Sequence, residues 1–436
     1  MSFEPFGTEI GAVVADIGTT NVRIGFAGAD QPRAQFSTAV GKDSAPSSSS
    51  RPTYHHDLAF FRENMSVEYP LKEGLIQDWD AYESIWNHAI KNYIRADMRE
   101  TPVLLTEKAY TPSEHRMKVT ELMFEKFNVP AMFLTKDAVL ACYACGRTTG
   151  LVVDCGGGGT SITPVQDGWV EMKGLNRAIT GGRHMDAHML SLLQKWRPNN
   201  IPQPSYCLER QVSAGAIGGN SYVSVKPKAL SNIHASYHAY MSLEMAKELK
   251  ESISRVSESS LADIEGKLAS IPLNQYELPD GTVIDIGVQR FVSAELLFDC
   301  TNLNMNSHEL TTLGLNASRP DALVGSKENI VALAADSIYR CDLELQAALV
   351  SNLVVTGGCS VIDNLPERIR TDLENLIKAS VPTCRVKCIA NAPNERMLCP
   401  WLGGSILGSL GSFHEIYISR KEYLEFGSAI VDKKCP

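Results

Sequence analysis

The chain has 436 residues, 44% hydrophobic and 21% charged, enough for two or more domains with a large core and too apolar for a disordered tail. A formal net charge of −9 excludes the broad basic face of a nucleic-acid binder. No apolar run approaches the roughly eighteen residues of a membrane span, and the opening MSFEPFGTEIG lacks a basic-then-apolar signal pattern, so a soluble, intracellular protein is expected.

In chain order, AVVADIG (12–18) is an apolar strand ending in Asp-x-Gly, and VRIGFAG (22–28) returns after a tight turn. KDSAPSSSSRPTYHH (42–56) is Ser- and Pro-rich and predicts a mobile loop. Helical spacing follows over 81–95, through Ile85, Trp86, Ala89, Ile90 and Tyr93, and again over 113–127. GLVVDCGGGGTSITPVQDG (150–168) then repeats the opening scheme of strand, acid, glycine-bearing turn and strand, with Asp154 lying 138 residues after Asp16. That interval is far too long for a solenoid and predicts duplicated domains.

The segment 207–238 shows no sustained period and reads as an insertion. A helix is expected over 331–350, and SNLVVTGGCSVI (351–362) gives a further strand meeting Gly357-Gly358. Ile369, Leu373, Leu376 and Ile377 then mark an amphipathic helix, and Ser419 with Glu422 fits a capping box opening the last one. Strands with glycine exits alternating with helices predict an α/β architecture. Eleven cysteines, including the Cys142-Tyr-Ala-Cys145 pair, lack a second ligand pair at zinc-finger spacing and read as packed thiols.

Two acid-tipped hairpins and a separate Gly-Gly turn point to a nucleotide held between two domains. Backbone N–H groups of glycine turns form anion-binding concavities. An acid at each strand end can hold Mg²⁺ through water, since that ion keeps most of its hydration shell. The chain resembles actin and the actin-related proteins over nearly its whole length. The resemblance rests on DIGTTNVRIGFAG (16–28), PVLLTE (102–107), FNVPAMF (127–133), GRTTGLVVDCG (146–156), YELPDGTVIDIG (276–287), TGG (356–358) and WLGGSILGSLGSF (401–413). Within that superfamily, TELMFEKFNVPAMFLTKDAVLACYACGRTTG, the 207–238 insertion and the ending KKCP look most like the nuclear, fourth class found in chromatin-remodelling and histone-acetyltransferase complexes. Its animal member is the actin-like subunit of SWI/SNF (BAF) remodellers.

This resemblance implies an actin-like two-domain α/β fold (actin/Hsp70/sugar kinase, ribonuclease H-like), with duplicated βββαβαβα cores and a nucleotide cleft between them. It divides the chain into four subdomains: 1–36, 70–144 and 398–436; 37–69; 145–180 and 306–397; and 181–305. It makes Asp16 and Asp154 the acids around a water-bound Mg²⁺. Gly18, Thr19, Thr20 and Arg23 become the first phosphate loop and its cation, and Gly156, Gly157 and Gly158 the second loop. Gly357, Gly358 and Met397 fall on the adenosine side, with Lys250 and Glu251 near ribose and base. ATP or ADP with Mg²⁺ is the implied cofactor.

Departures from the family are as informative. Thr20 stands where the family has glycine, crowding the closest backbone approach. Arg23 replaces a lysine, and its planar fork is not a compact ammonium. Gly157 replaces an acid that organises the metal waters, Asp137 the glutamine that orients attacking water, Ser161 a histidine assisting it, and Met397 a lysine near the base. Two unit charges about 5 Å apart at an effective dielectric near 20 interact by roughly 3 kcal/mol, which sets the scale of the loss at 157. Phosphoryl transfer depends on positioning, so losing the water-orienting amide predicts ATP binding with little or no hydrolysis and no role as an independent enzyme.

In actin-like folds an end cleft takes partner helices, and the matching positions are Tyr143, Gly146, Thr148, Ile406, Leu407 and Leu410. The nuclear class implies actin and a long helix of a remodelling ATPase as partners, with chromatin met through the complex, and a nuclear location. The altered 42–56 loop predicts no self-polymerisation, and no membrane partner is expected. Two other readings are a cytoskeletal actin-like ATPase and an actin-related subunit of a cytoplasmic motor adaptor complex. The substitutions at 20, 137, 157 and 161 disfavour the first; the class resemblance alone disfavours the second.

Overall fold

The computed structural model describes residues 11–43, 52–197, 202–213, 222–261, 271–299, 329–378 and 385–435. Each acid-tipped hairpin founds a sheet. In the first, β1 (Val13–Ile17) turns back into β2 (Asn21–Phe26), β3 (Ala34–Ser37) pairs antiparallel with β2, and β4 (Val103–Glu107) and β5 (Ala131–Lys136) add in parallel beyond β1. In the second, β6 (Gly150–Cys155) turns back into β7 (Thr160–Gln166), which carries β8 (Asn176–Ala178). On the far side of β6, β9 (Leu353–Thr356) and β10 (Cys388–Ile389) add in parallel. The orders β3-β2-β1-β4-β5 and β8-β7-β6-β9-β10 match strand for strand, so the duplicated α/β core is present. Every residue of β5 and β6 is buried, as expected of strands covered on both faces.

The helices follow the apolar period. α1 (Trp79–Ala89) starts where the Asp78 side chain accepts the Ala81 N–H, buries Ile85, Trp86 and Ala89, and continues as a wider π-turn over Ile90–Ile94. α2 (Ser113–Glu121) runs on in the same way over Leu122–Lys126, so both expected spans hold. α3 (Asp137–Ala144) follows β5. In the second half come α4 (Gly182–Trp196) and α5 (Ala235–Ile253).

The expected helix at 331–350 is two: α6 (Ile330–Arg340), capped by Asn329, and α7 (Leu343–Ser351), separated by the extended Cys341. α8 (Leu365–Ile377) buries Leu365, Ile369, Leu373 and Ile377 as one stripe, whereas Leu376 lies off it and is exposed. α9 (Pro393–Gly408) carries Pro at its first position, where the missing N–H costs no helix bond. The Ser419–Glu422 capping box is present and opens α10 (Arg420–Phe426), but a short turn of helix, Val431–Lys434, comes after it.

Two cores result, one per sheet. Val14, Leu104, Met132, Trp86 and Trp401 belong to the first, and Val153, Ile162, Leu249, Leu353 and Leu373 to the second. Between them α3 and α9 pack together, with Val139, Cys142, Val152, Val354 and Cys399 buried among them. Cys142 and Cys399 are thus core residues.

Both irregular segments contain strands. Val40–Asp43, Tyr54–His55 and Met65–Glu68 form a small sheet; the serines at 47–50 lie outside the described residues. Within 207–238, Leu208–Ser213 pairs with Tyr222–Pro227, and α5 begins at Ala235. The small sheet packs against the start of α5: Leu58, Met65 and Val67 bury against Tyr206, Tyr237 and Tyr240, and the Val67 N–H donates to Ser236 Oγ at 2.8 Å. Among the described residues no helix is long and apolar enough to cross a membrane.

Candidate functional site

A cavity of about 880 Å³ opens between the two halves, and the turns of both hairpins line it. Equivalent positions of the repeat bring their acids there. Asp16, next to last in β1, pairs across the hairpin with Arg23, and Asp154, next to last in β6, pairs with Ser161. In the first hairpin this cross-strand position carries a cation. Arg23 Nη1 donates to Asp16 Oδ2 at 2.8 Å, and Thr106 Oγ1 donates to Asp16 Oδ1 at 2.7 Å. Ser161 is buried and offers Asp154 no positive charge.

The cation at Asp154 comes instead from the first half. Lys108, just beyond β4, places Nζ 2.5 Å from Asp154 Oδ2 and 2.6 Å from Asp137 Oδ2. Asp137 is the first residue of α3, and its other oxygen accepts the Ala138 N–H at 2.8 Å. Burial pulls the Lys108 ammonium toward neutrality, but Asp137 and Asp154 outweigh it and raise its pKa well above the usual lysine range. Burial also pushes the Asp137 carboxyl up, to about 6, against the pull of Lys108 and with Asp154 adding to the rise. Gly74 covers the lysine stem: its φ is +80°, and a Cβ there would stand 2.8 Å from Lys108 Cγ. Strand alternation turns the neighbouring Glu107 to Arg116 and Lys136, at 2.9 and 2.6 Å.

The two phosphate turns touch. A Cβ on Gly157 would stand 2.5 Å from Thr20 Cγ2 and 2.6 Å from Thr20 Oγ1, and Gly158 faces Thr19 in the same way. The missing acid at 157 and the extra side chain at 20 are therefore one feature, because Thr20 fills the space that a side chain at 157 would need. The first N–H groups of α4 hold the second turn from behind, Gly182 N–H donating to the Gly156 carbonyl and Arg183 N–H to that of Gly157. This satisfies donors that a helix start leaves open. Among the described residues nothing accepts the N–H groups of Gly157 and Gly158, and both residues line the cavity.

Beside the second hairpin Gly357 has φ +91°, and a Cβ there would lie 2.5 Å from the Cys155 carbonyl oxygen, so only glycine fits. Gly18, Gly156 and Gly358 line the cavity with it, as do Lys250, Glu251 and Met397. Lys250 directs its ammonium to Asp186 Oδ1 at 2.6 Å; burial opposes its charge, but Asp186 prevails and raises the pKa to about 12. The cavity thus gathers every candidate nucleotide position from 16 to 397 on one surface. Lys108 was not among them, although TEK at 106–108 holds the same register in its sheet as TGG at 356–358.

The water-bound Mg²⁺ expected at Asp16 and Asp154 does not match this donor set. Both Asp16 oxygens are engaged, and Asp137 and Asp154 share one ammonium.

The expected partner positions form two groups. Tyr143, Gly146 and Thr148 lie at and beyond the end of α3, where the Thr148 carbonyl accepts the Gly168 N–H at 2.8 Å and Gly168 faces the Tyr143 hydroxyl. At the end of α9 Leu407 is half-buried, while Ile406 and Leu410 are 46% and 48% exposed. Trp169, beside Gly168, is 61% exposed; a lone tryptophan in a short strand gave no period by which to find it.

Matched α/β halves around a cleft floored by two acid-tipped hairpins define an actin-like fold. The actin family model matches residues 7–436, and the chain belongs to that family. More particularly, it is similar to the proteins called actin-related protein 4. It is 34% identical over 462 aligned positions to those of Oryza sativa subspecies indica and japonica, and 32% identical over 458 to that of Arabidopsis thaliana, each alignment covering 99% of both chains.

Proposed function

We propose that the chain is a non-filament actin-related protein, a structural and interaction subunit of nuclear chromatin-remodelling complexes of SWI/SNF type and of histone-acetyltransferase complexes. It holds ATP or ADP in the cleft with little or no hydrolysis, and its working anatomy is the four-subdomain division given above. The carrying observation is the Lys108–Asp137 ion pair. A carboxylate fixed on a lysine cannot present the amide that would orient an attacking water, so the position supports holding a phosphate chain more than cleaving it. The open N–H groups of Gly157 and Gly158 support the holding. ATP loaded into the purified protein is expected to stay unconverted over hours, and ADP accumulating at the rate of an ordinary actin contradicts the reading.

The same proposal takes the end groups of α3 and α9 as the contact for a helix of the remodelling ATPase, engaged together with actin. An amphipathic helix needs exposed apolar anchors, which Ile406, Leu410 and Trp169 supply. Leu410→Asp is expected to abolish co-purification of the remodelling ATPase while leaving the melting temperature within a degree or so, since substitutions at exposed positions cost within about 0.5 kcal/mol. Unchanged co-purification places the contact elsewhere.

A further inference from the structure

We propose that Lys108 stands in for the divalent cation of the cleft, so that the phosphates of a nucleoside triphosphate are held there without Mg²⁺. The inference rests on the nucleotide reading above and concerns what neutralises the floor of that site. Each half of the molecule carries a buried acid, next to last in its central strand, beside a threonine: Thr106 flanks Asp16, and Thr356 is in register with Asp154. Asp16 finds its cation across its own hairpin, in Arg23. Asp154 has Ser161 at that place, and the charge reaches it from Lys108, in the other half of the chain.

Lys108 is built into the position. Its stem passes under the backbone of Gly74, which has no room for a Cβ, and the Gly74 N–H is fixed on Thr19 Oγ1 at 2.9 Å, inside the first phosphate turn. An ammonium carries three protons. Two point to Asp137 and Asp154, which leaves one for an oxygen in the cavity that Lys108 lines. A hydrated Mg²⁺ needs the outer oxygens of these carboxylates as acceptors for its waters. To enter, it must displace a buried ammonium and then sit beside it, so two charges of the same sign would share the floor. A lysine already in place gives the phosphates a positive partner without that repulsion.

The test is ATP titration of the intact protein by calorimetry, after nucleotide removal, in excess EDTA and in Mg²⁺. The wild-type Kd is expected to agree between the two conditions within about threefold, under 1 kcal/mol. Lys108→Ala is expected to lose about tenfold or more in EDTA and to regain much of it in Mg²⁺, since its two carboxylates are then open to the ion. A wild-type Kd that weakens tenfold or more in EDTA overturns the inference while leaving the nucleotide reading intact. A Lys108→Ala protein that still binds equally well in EDTA overturns it too. No ATP uptake by the wild type in either condition overturns the nucleotide reading itself, and this inference with it. The wild-type comparison decides the matter even where the variant does not fold.

Discussion

Replacing Gly403 by alanine is expected to be the most damaging such change among the glycines of the described residues. Gly403 lies inside α9, where alanine alone would favour the helix by about 1 kcal/mol. Its Cα, however, faces the backbone of α3, and an added Cβ would fall on the Leu140 carbonyl oxygen with Leu140 C and Cα close behind. A backbone carbonyl within a helix cannot rotate aside as a side chain can, so the helices must part. Overpacking costs about 1–3 kcal/mol and sometimes more, which outweighs the propensity gain. The effect also reaches the cleft, because α3 begins at Asp137. Gly404→Ala makes the control: its Cβ would meet the side-chain ends of Val14 and Leu104 at 2.7 and 3.1 Å, and these can shift. Thermal melting should rank wild type above Gly404→Ala and Gly404→Ala well above Gly403→Ala. A Gly403→Ala protein as stable as wild type would mean that the helices do not approach as described.

The second large effect is a coupling between the phosphate turns. Gly157→Asp restores the acid that the family carries there, yet it should weaken both stability and nucleotide binding, because the new Cβ meets Thr20 Cγ2 at 2.5 Å. The single substitution is expected to destabilise by about 1–3 kcal/mol. Thr20→Gly alone leaves a small gap and should cost less. Combined, the two should recover much of the loss, with a coupling energy of about 0.5–3 kcal/mol, the range for residues in direct contact. Denaturant unfolding of the four proteins gives this number. Strict additivity would show that the departures at 20 and 157 are independent.

Much of this arrangement was legible in the residues. Apolar runs ending in acid and glycine, at 12–18 and 150–156, give away the duplicated hairpins because a strand buried on both faces has little choice of composition. The cleft positions followed from the turns these strands must make. Other features lie where local pattern says little. The break between α6 and α7 is invisible because both helices carry buried apolar residues, so the period runs on across Cys341 and Asp342. Among the described residues Leu208–Ser213 and Tyr222–Pro227 form a two-stranded sheet of their own, and an isolated two-stranded ribbon is not held to the alternation that marks a sheet packed on a core. Lys108 was missed for another reason. The departures at 137, 157 and 161 each point only to the family residue they replace, whereas the cation that satisfies Asp154 arrives from 46 positions away. The one local signal is the repeat itself, in which TEK at 106–108 falls on TGG at 356–358.

The central claim is a nucleotide held and not consumed, and the fate of bound ATP tests it most directly. Purified protein loaded with ATP, freed of excess nucleotide and sampled over hours by acid extraction and chromatography is expected to keep its ATP unconverted. Phosphate release and ADP accumulation at the rate of an ordinary actin would contradict the account.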